Sequence, residues 1–281
     1  MVTFGQGFPG LATVGLPGDR EAVSSGWPAL DGLLPGGGVR RGSLIEWLAG
    51  EADAACGSGA ATLACAVACR LAASRDDARG GLIVVVDRAG WFHPPAVLPW
   101  LGGARLVVAR PSRDDDEMWA IEQSLRCAGV AAVVAWPRLA AAWSLERGVA
   151  AERRSAGRGG LQQWTTIMRR WQLAARSAGA VGLFVRSPQA SCEPSWAESR
   201  LAVSAAPGGS LVERRLRVAR VGGVWCRAEA DAGRPIEIVL DMARGRAAPD
   251  VSSPMSRRQG IARPHVAPEI VPQGGASCRA S

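Results

Sequence analysis

"EWLAGEADAACGSGAATLA", Glu46 to Ala64, decides how the rest of the chain is read. "GSLIEWL" (42–48) has the apolar, β-branched character of a buried strand, and "GAATLACAVACRLAAS" (59–74) is an alanine-rich helix that is apolar all round. Between them lies a glycine-containing turn. A strand–turn–helix unit of this kind cradles phosphates when glycines let backbone N–H groups wrap the oxygens. It also needs a lysine to reach them and a Ser or Thr to hold magnesium. Aligned on "GSGAATL", the lysine position is Ala60 and the hydroxyl position is Ala61; Thr62 comes one residue late. Glu51 and Asp53 would repel phosphate. The chain has no lysine at all, so no other register restores the motif. An arginine from elsewhere could bring charge but not a compact ammonium at that point. The candidate loop residues Gly50, Gly57, Gly59, Ala60, Ala61 and Thr62 therefore keep the shape of a phosphate loop without its charge.

Outward from this stretch, strand-like and helical segments alternate. "GGLIVVVD" (80–87), "VAAVVAW" (130–136) and "AVGLFVRS" (180–187) are continuous apolar runs, the pattern of strands covered on both faces. "DDDEMWAIEQSLRCAG" (114–129) is a helix whose acidic first turn suits the positive end of the helix dipole. Metal ligands would have to converge from several elements, so this acidic run is helix-start electrostatics and not a metal site. "LQQWTTIMRRWQLAARSAG" (161–179) carries Trp164, Ile167, Met168, Trp171 and Ala175 along one stripe. "AESRLAVSA" (197–205), "ERRLRVARVGG" (213–223) and "PIEIVLD" (235–241) alternate as a closing meander would. The expected fold is α/β, with a mostly parallel, doubly wound sheet and antiparallel edge strands. Residues 1–24 read as a Gly/Pro-containing leader, 25–243 as the folded core, and 244–281 as a disordered basic tail too poor in large apolar residues to fold.

The 281-residue chain has a net charge of +8, and all 33 of its basic residues are arginine. Tyr and Asn are absent as well, so the arginine excess fits a GC-rich coding bias as well as it fits a polyanionic partner. No secretory signal is expected from the Gly/Pro-broken N-terminus, and no apolar run approaches the roughly 20 residues of a membrane helix. Seven cysteines without metal-type spacing suit reduced thiols in the cytoplasm.

"SGWPALDGLLPGGGVRRGSLIEW", "LIVVVDRAGWFHPP" and "GVAAVVAWPR" together resemble the core of the RecA family of P-loop ATPases. That resemblance spans about Ser25 to Asp241 and implies a RecA-like fold. It also places the family's catalytic Glu at Ala89, its Walker B Asp at Trp136 and its sensor Gln at Ser187. With Ala60 and Ala61 in the loop, the groups that position and neutralise a transferring phosphoryl are missing. A RecA-type core degenerate in this way is similar to the ImuA family of bacterial DNA-damage mutagenesis. "MRRWQLAARSAGAVGLFVRS" and "PSWAESRLAVS" add to that likeness, whereas 141–164 is longer than a minimal member would carry. The resemblance implies a non-enzymatic accessory of the SOS response, without cofactor or metal. It would support error-prone translesion synthesis beside a Y-family-like ImuB-type partner and an error-prone DnaE-type polymerase. RecA and single-stranded DNA are further partners it allows. The alternative is a divergent RecA-type, DNA-dependent ATPase of recombinational repair.

Three basic clusters are nucleic-acid candidates. Arg153, Arg154 and Arg158 are expected on a glycine-containing loop that could contact phosphates. Arg169 and Arg170 adjoin Trp164 and Trp171, and helical spacing makes the tryptophans core and the arginines the wet face. Arg217 lies in the alternating strand "RLRVAR", where charge usually marks a solvated face. His93 stands between Phe92 and Pro94 without a carboxylate or second histidine nearby, which favours a structural role.

Overall fold

The computed structural model describes residues 22–49, 57–75, 81–138, 153–210, 212–224, 234–243 and 246–247; the side chains of 153–161 and 246–247 fall outside that description. The chain divides after Ala248, and every described residue precedes that point. Elements follow in the order β1 (Ala22–Val23), α1 (Pro28–Asp31), β2 (Val39–Arg40), β3 (Leu44–Ala49), α2 (Ala60–Ala73), β4 (Leu82–Val86), α3 (Leu98–Leu101) and β5 (Arg105–Ala109). Then come α4 (Asp114–Arg126), β6 (Val130–Ala135), α5 (Arg153–Ala178), β7 (Val181–Arg186), β8 (Ser199–Gly209), β9 (Glu213–Gly222), β10 (Ile236–Asp241) and β11 (Arg246–Ala247).

Nine strands form one sheet in the order β11-β10-β9-β8-β3-β7-β6-β4-β5. The six from β8 to β5 are parallel, and β9, β10 and β11 extend them antiparallel. The fold is thus α/β with a mostly parallel central sheet flanked by helices. β3, β4, β6 and β7 are nearly all buried, which is why they read as unbroken apolar runs.

Each face of the sheet has its own core. α2 covers one face with Leu63, Ala64, Val67, Ala68 and Leu71 against Ile45, Trp47, Ile83, Val85, Val134 and Leu183. α4 and α5 cover the other, where Ile121, Leu125, Trp164, Met168 and Trp171 meet Leu44, Val133 and Phe184. Trp171 is the hinge of this packing: its ring centroid lies 5.7 Å from Trp164, edge-on, and 5.0 Å from Phe184. α1 is tied to the antiparallel extension, Trp27 donating from Nε1 to the Val239 carbonyl at 3.2 Å.

Four elements lie outside the sequence expectation. β5, "RLVVA", is an edge strand that alternates half-buried Leu106 and Val108 with exposed Arg105 and Val107, so its apolar signal is half that of its neighbours. And 153–160, expected as a loop, is the beginning of α5. Arginine, alanine and serine extend a helix at little cost. The helix continues through the three glycines, each about 1 kcal/mol less favourable there than alanine. Ala22 and Val23, within the expected leader, pair with Arg40 and Val39. Arg246 and Ala247, within the expected tail, pair with Asp241 and Leu240.

Candidate functional site

β3 lies between β7 and β8, parallel to both. It passes the chain to α2 on one face, whereas the segment after β7 packs beside Glu46 on the other. Neighbouring parallel strands that send the chain to opposite faces open a crevice beyond their carboxyl ends, the usual ligand position of such sheets.

At that crevice Gly59 caps α2 in the left-handed region, with φ 83° and ψ 0°. No Cβ fits there: it would lie 2.3 Å from Leu216 Cδ2 and 3.3 Å from Arg214 Nε. Both neighbours come from β9. Arg214 also donates from Nη2 to the Gly57 carbonyl at 2.8 Å, so the antiparallel strand packs a leucine and an arginine onto the loop glycines. The Ala60 amide donates to Ser58 Oγ at 3.2 Å, and the first intrahelical bond runs from the Leu63 amide to Gly59 at 2.9 Å. Ala60 is buried, Ala61 and Thr62 half-buried, and Gly50 lies outside the described residues.

The ends of β4 and β6 complete the wall. Both Asp87 carboxylate oxygens are taken by backbone amides, Trp91 at 3.0 Å and Phe92 at 2.9 Å. The buried Asp87 side chain thus shapes the turn in which Ala89 sits exposed. Trp136 follows β6 and meets Phe92, with ring centroids 6.4 Å apart. Ser187, after β7, opens a short 3-10 turn (Pro188–Cys192). A pocket of about 180 Å³ lies against the start of α2, lined by Ala61, Thr62, Trp91, His93, Trp100 and Trp136 among others. His93 is exposed at this pocket. Sequence reasoning read Arg214 only as part of a basic strand strip, not as a contact of the loop, and it missed this pocket. Strand parity was the available signal for the arginine, which shares a face with Leu216; the pocket is assembled from separate elements and left no local signal.

Other candidates fall elsewhere. Arg153, Arg154 and Arg158 belong to the first turns of α5 and not to a loop. Arg170 pairs with Glu122 at 2.5 Å, and the Arg169 guanidinium carbon lies 5.2 Å from the Trp196 ring centroid. Trp164 and Trp171 are core, as helical spacing predicts. Arg217, more than half exposed, stands 3.6 Å from Glu237. Among the described side chains, Arg169 and Arg170 on α5 and Arg217 on β9 have separate partners and do not form one site. The acidic turn opens α4 as expected, and Arg88 joins it, reaching Asp114 at 2.8 Å and Glu117 at 3.1 Å. Burial pushes the Glu117 carboxyl up, and Arg88 pulls it partly back. Burial also pushes the Cys65 and Cys69 thiols up to about 12.

A second charged cluster had no sequence warning. Glu46 of β3 is fully buried and accepts from Arg186 at 3.1 Å and from Arg200 at 2.7 Å. Arg186 also pairs with Glu193 at 2.5 Å and lies 4.2 Å from the Trp164 ring centroid; Arg200 donates to the Ala190, Ser191 and Glu193 carbonyls. This network ties β3, β7 and β8 to the 188–193 turn. Among the described residues no group of His, Cys, Asp or Glu could hold a metal ion, and no helix is long and apolar enough to cross a membrane. No protein-family model and no curated protein matches the chain.

Proposed function

We propose that this chain is a RecA-related, ImuA-like accessory of the bacterial DNA-damage response, supporting error-prone translesion synthesis through protein partners and not through catalysis. The observation that carries the reading is the packing of Leu216 and Arg214 onto Gly59 and Gly57 at the start of α2. A phosphate loop must leave that concavity open to anions, and here the Leu216 side chain lies against Gly59 while the Arg214 guanidinium donates to the Gly57 carbonyl. The surrounding chemistry agrees. Ala60 and Ala61 offer neither charge nor hydroxyl, Asp87 is consumed by two amides, and Trp136 brings an indole where magnesium would need an oxygen. The pocket, at about 180 Å³, is smaller than the roughly 300–1,000 Å³ of ordinary ligand sites, and no arginine lines it among the described residues. A strand–loop–helix unit at a sheet switch point, kept without its reactive groups, suits a scaffold descended from an ATPase.

The test is nucleotide binding and hydrolysis by the purified full chain, with and without single-stranded DNA, beside an active RecA. No binding and no turnover are expected. Hydrolysis that rises with DNA would overturn the proposal. Co-purification with an ImuB-type partner and a DnaE-type polymerase is the positive arm.

A further inference from the structure

Among the described residues β5 ends the sheet on one side. Edge strands are ordinarily guarded by shortness, bulges, prolines or mid-strand charge. The opposite edge, β11, is two residues long. β5 is five residues long, contains no proline, and pairs with β4 without a register shift. Two bonds fix the direction of its backbone groups. The Arg105 amide donates to the Gly81 carbonyl at 3.1 Å, and the Ala109 carbonyl accepts from the Asp87 amide at 2.9 Å. Residues 105, 107 and 109 therefore turn their backbone toward β4. By the two-residue period, the N–H and C=O of Leu106 and Val108 turn outward, and neither residue has a hydrogen-bond partner among the described residues. The side chains of Leu106 and Val108 pack into the α2-side core. Val107 points to the α4 side with Ala109 and is 48 % exposed.

The outward groups are complementary to a second copy of themselves. A two-fold axis midway between two Val107 residues sets Leu106 of one copy opposite Val108 of the other, and both present N–H and C=O. Each such pair exchanges two hydrogen bonds. Val107 then meets Val107 in a non-hydrogen-bonded pair, the spacing at which side chains come closest. Charge agrees with that register. Arg105 falls opposite Ala109 and Arg110 opposite Ala104, so no arginine faces another. Five residues beyond Ala109 begins the acidic first turn of α4, where Asp115 and Asp116 are exposed, and Arg105 of the other copy lies at that end. An unrelated strand would satisfy the backbone alone; the apolar centre, the neutral pairs and the acid near arginine match this strand to itself. We infer that the protein forms a two-fold dimer by antiparallel pairing of β5 with β5 of a second copy, which joins two nine-stranded sheets into one. Five residues a side is far short of the roughly 20–30 of a standard interface, so the dimer is reversible, with Kd of about 1–100 µM. The inference goes beyond the proposed function and does not rest on it.

The test is sedimentation velocity on the full chain, from about 1 to 200 µM, which should show monomer passing reversibly to dimer and no further. Val107→Lys sets two like charges opposite each other, and so does Val107→Glu. Each should weaken the dimer about tenfold or more. An equimolar mixture of the two should restore it, because lysine then faces glutamate. Val108→Pro removes an outward N–H without taking a bond from β4 and should also leave monomer. Val221→Lys, an exposed change on β9, is the control and should leave the dimer intact. Circular dichroism checks that each variant is folded. Four results would overturn the inference: monomer at every concentration, assembly that grows beyond two copies, a dimer that persists in folded Val107→Lys and Val108→Pro, or a mixture that stays monomeric. ATP turnover, assayed on the same preparation, bears on the proposed function alone, so the two ideas fail separately.

Discussion

Two places on the same strand treat charge in opposite ways. Midway along β3, Glu46 is fully buried yet satisfied by Arg186 and Arg200. Beyond the strand's end, at the start of α2, Ala60 and Ala61 carry no charge, and the loop carbonyl of Gly57 is held by Arg214. The sheet keeps buried ions where they bind strands to each other and lacks them where they would bind a phosphate. A buried ion pair adds little over an apolar core but is expensive to break, so it persists once built. A phosphate loop has no such protection: its lysine and hydroxyl matter only when a nucleotide is bound.

The comparison breaks most sharply at Glu46. Glu46→Ala takes the shared carboxylate from Arg186 and Arg200, leaving them only Glu193 and the turn carbonyls, and should cost about 3–5 kcal/mol, read from the urea midpoint at unchanged m-value. If the cost is under about 1 kcal/mol, the network is solvated and the contrast dissolves. Next comes Gly59→Ala, which meets both a left-handed φ of 83° and Leu216 Cδ2 at 2.3 Å. About 1–3 kcal/mol should be lost by the same measurement. In the double variant with Leu216→Ala the costs should add to less than their sum, because the second change removes the clash. Simple additivity would mean that β9 does not press on the loop.

Charge alone was a poor guide to these two places. The apolar runs at 82–86, 130–135 and 181–186 announced their strands because both faces of each are covered. β5 hid because an edge strand alternates and "RLVVA" is short. That the loop carries no lysine was visible, since the stretch is local. Glu46, Arg186 and Arg200 are far apart in sequence, and no local pattern says that a strand glutamate will find two arginines across the sheet. Arg214 was nearer to legible. It stands two residues before Leu216 and so faces the same way, but a run of arginines in "ERRLRVAR" reads first as solvated.

Arg214→Ala sharpens the contrast on a smaller scale. It removes one half-exposed tether to Gly57 and should cost about 0.5–1.5 kcal/mol, with faster amide exchange at Ser58 and Gly59 as the local sign. Unchanged exchange would show that Leu216 alone holds the loop. The buried thiols give a chemical check on the α2 face. A thiol raised to about 12 stays protonated at pH 8, so Cys65 and Cys69 should resist iodoacetamide while exposed Cys127 and Cys192 react. Peptide mapping after a short pulse reads this directly. Early labelling of Cys65, which also lines the pocket, would mean that the face opens.

The smallest effect belongs to Arg217, and its smallness is informative. It faces Glu237 at 3.6 Å with both side chains more than half exposed. Exposed pairs of this kind are worth about 0–1 kcal/mol, because water screens the attraction and two flexible side chains must be ordered to make it. Arg217→Ala should therefore leave the urea midpoint nearly unchanged, unlike the buried arginines on β7 and β8. Its value lies in binding. If the outer face of β9 meets DNA, the same substitution should lower the salt dependence of binding to single-stranded DNA by about one counterion without altering stability. If the salt slope is also unmoved, Arg217 is surface charge only. The arginine excess on this strand then reflects composition.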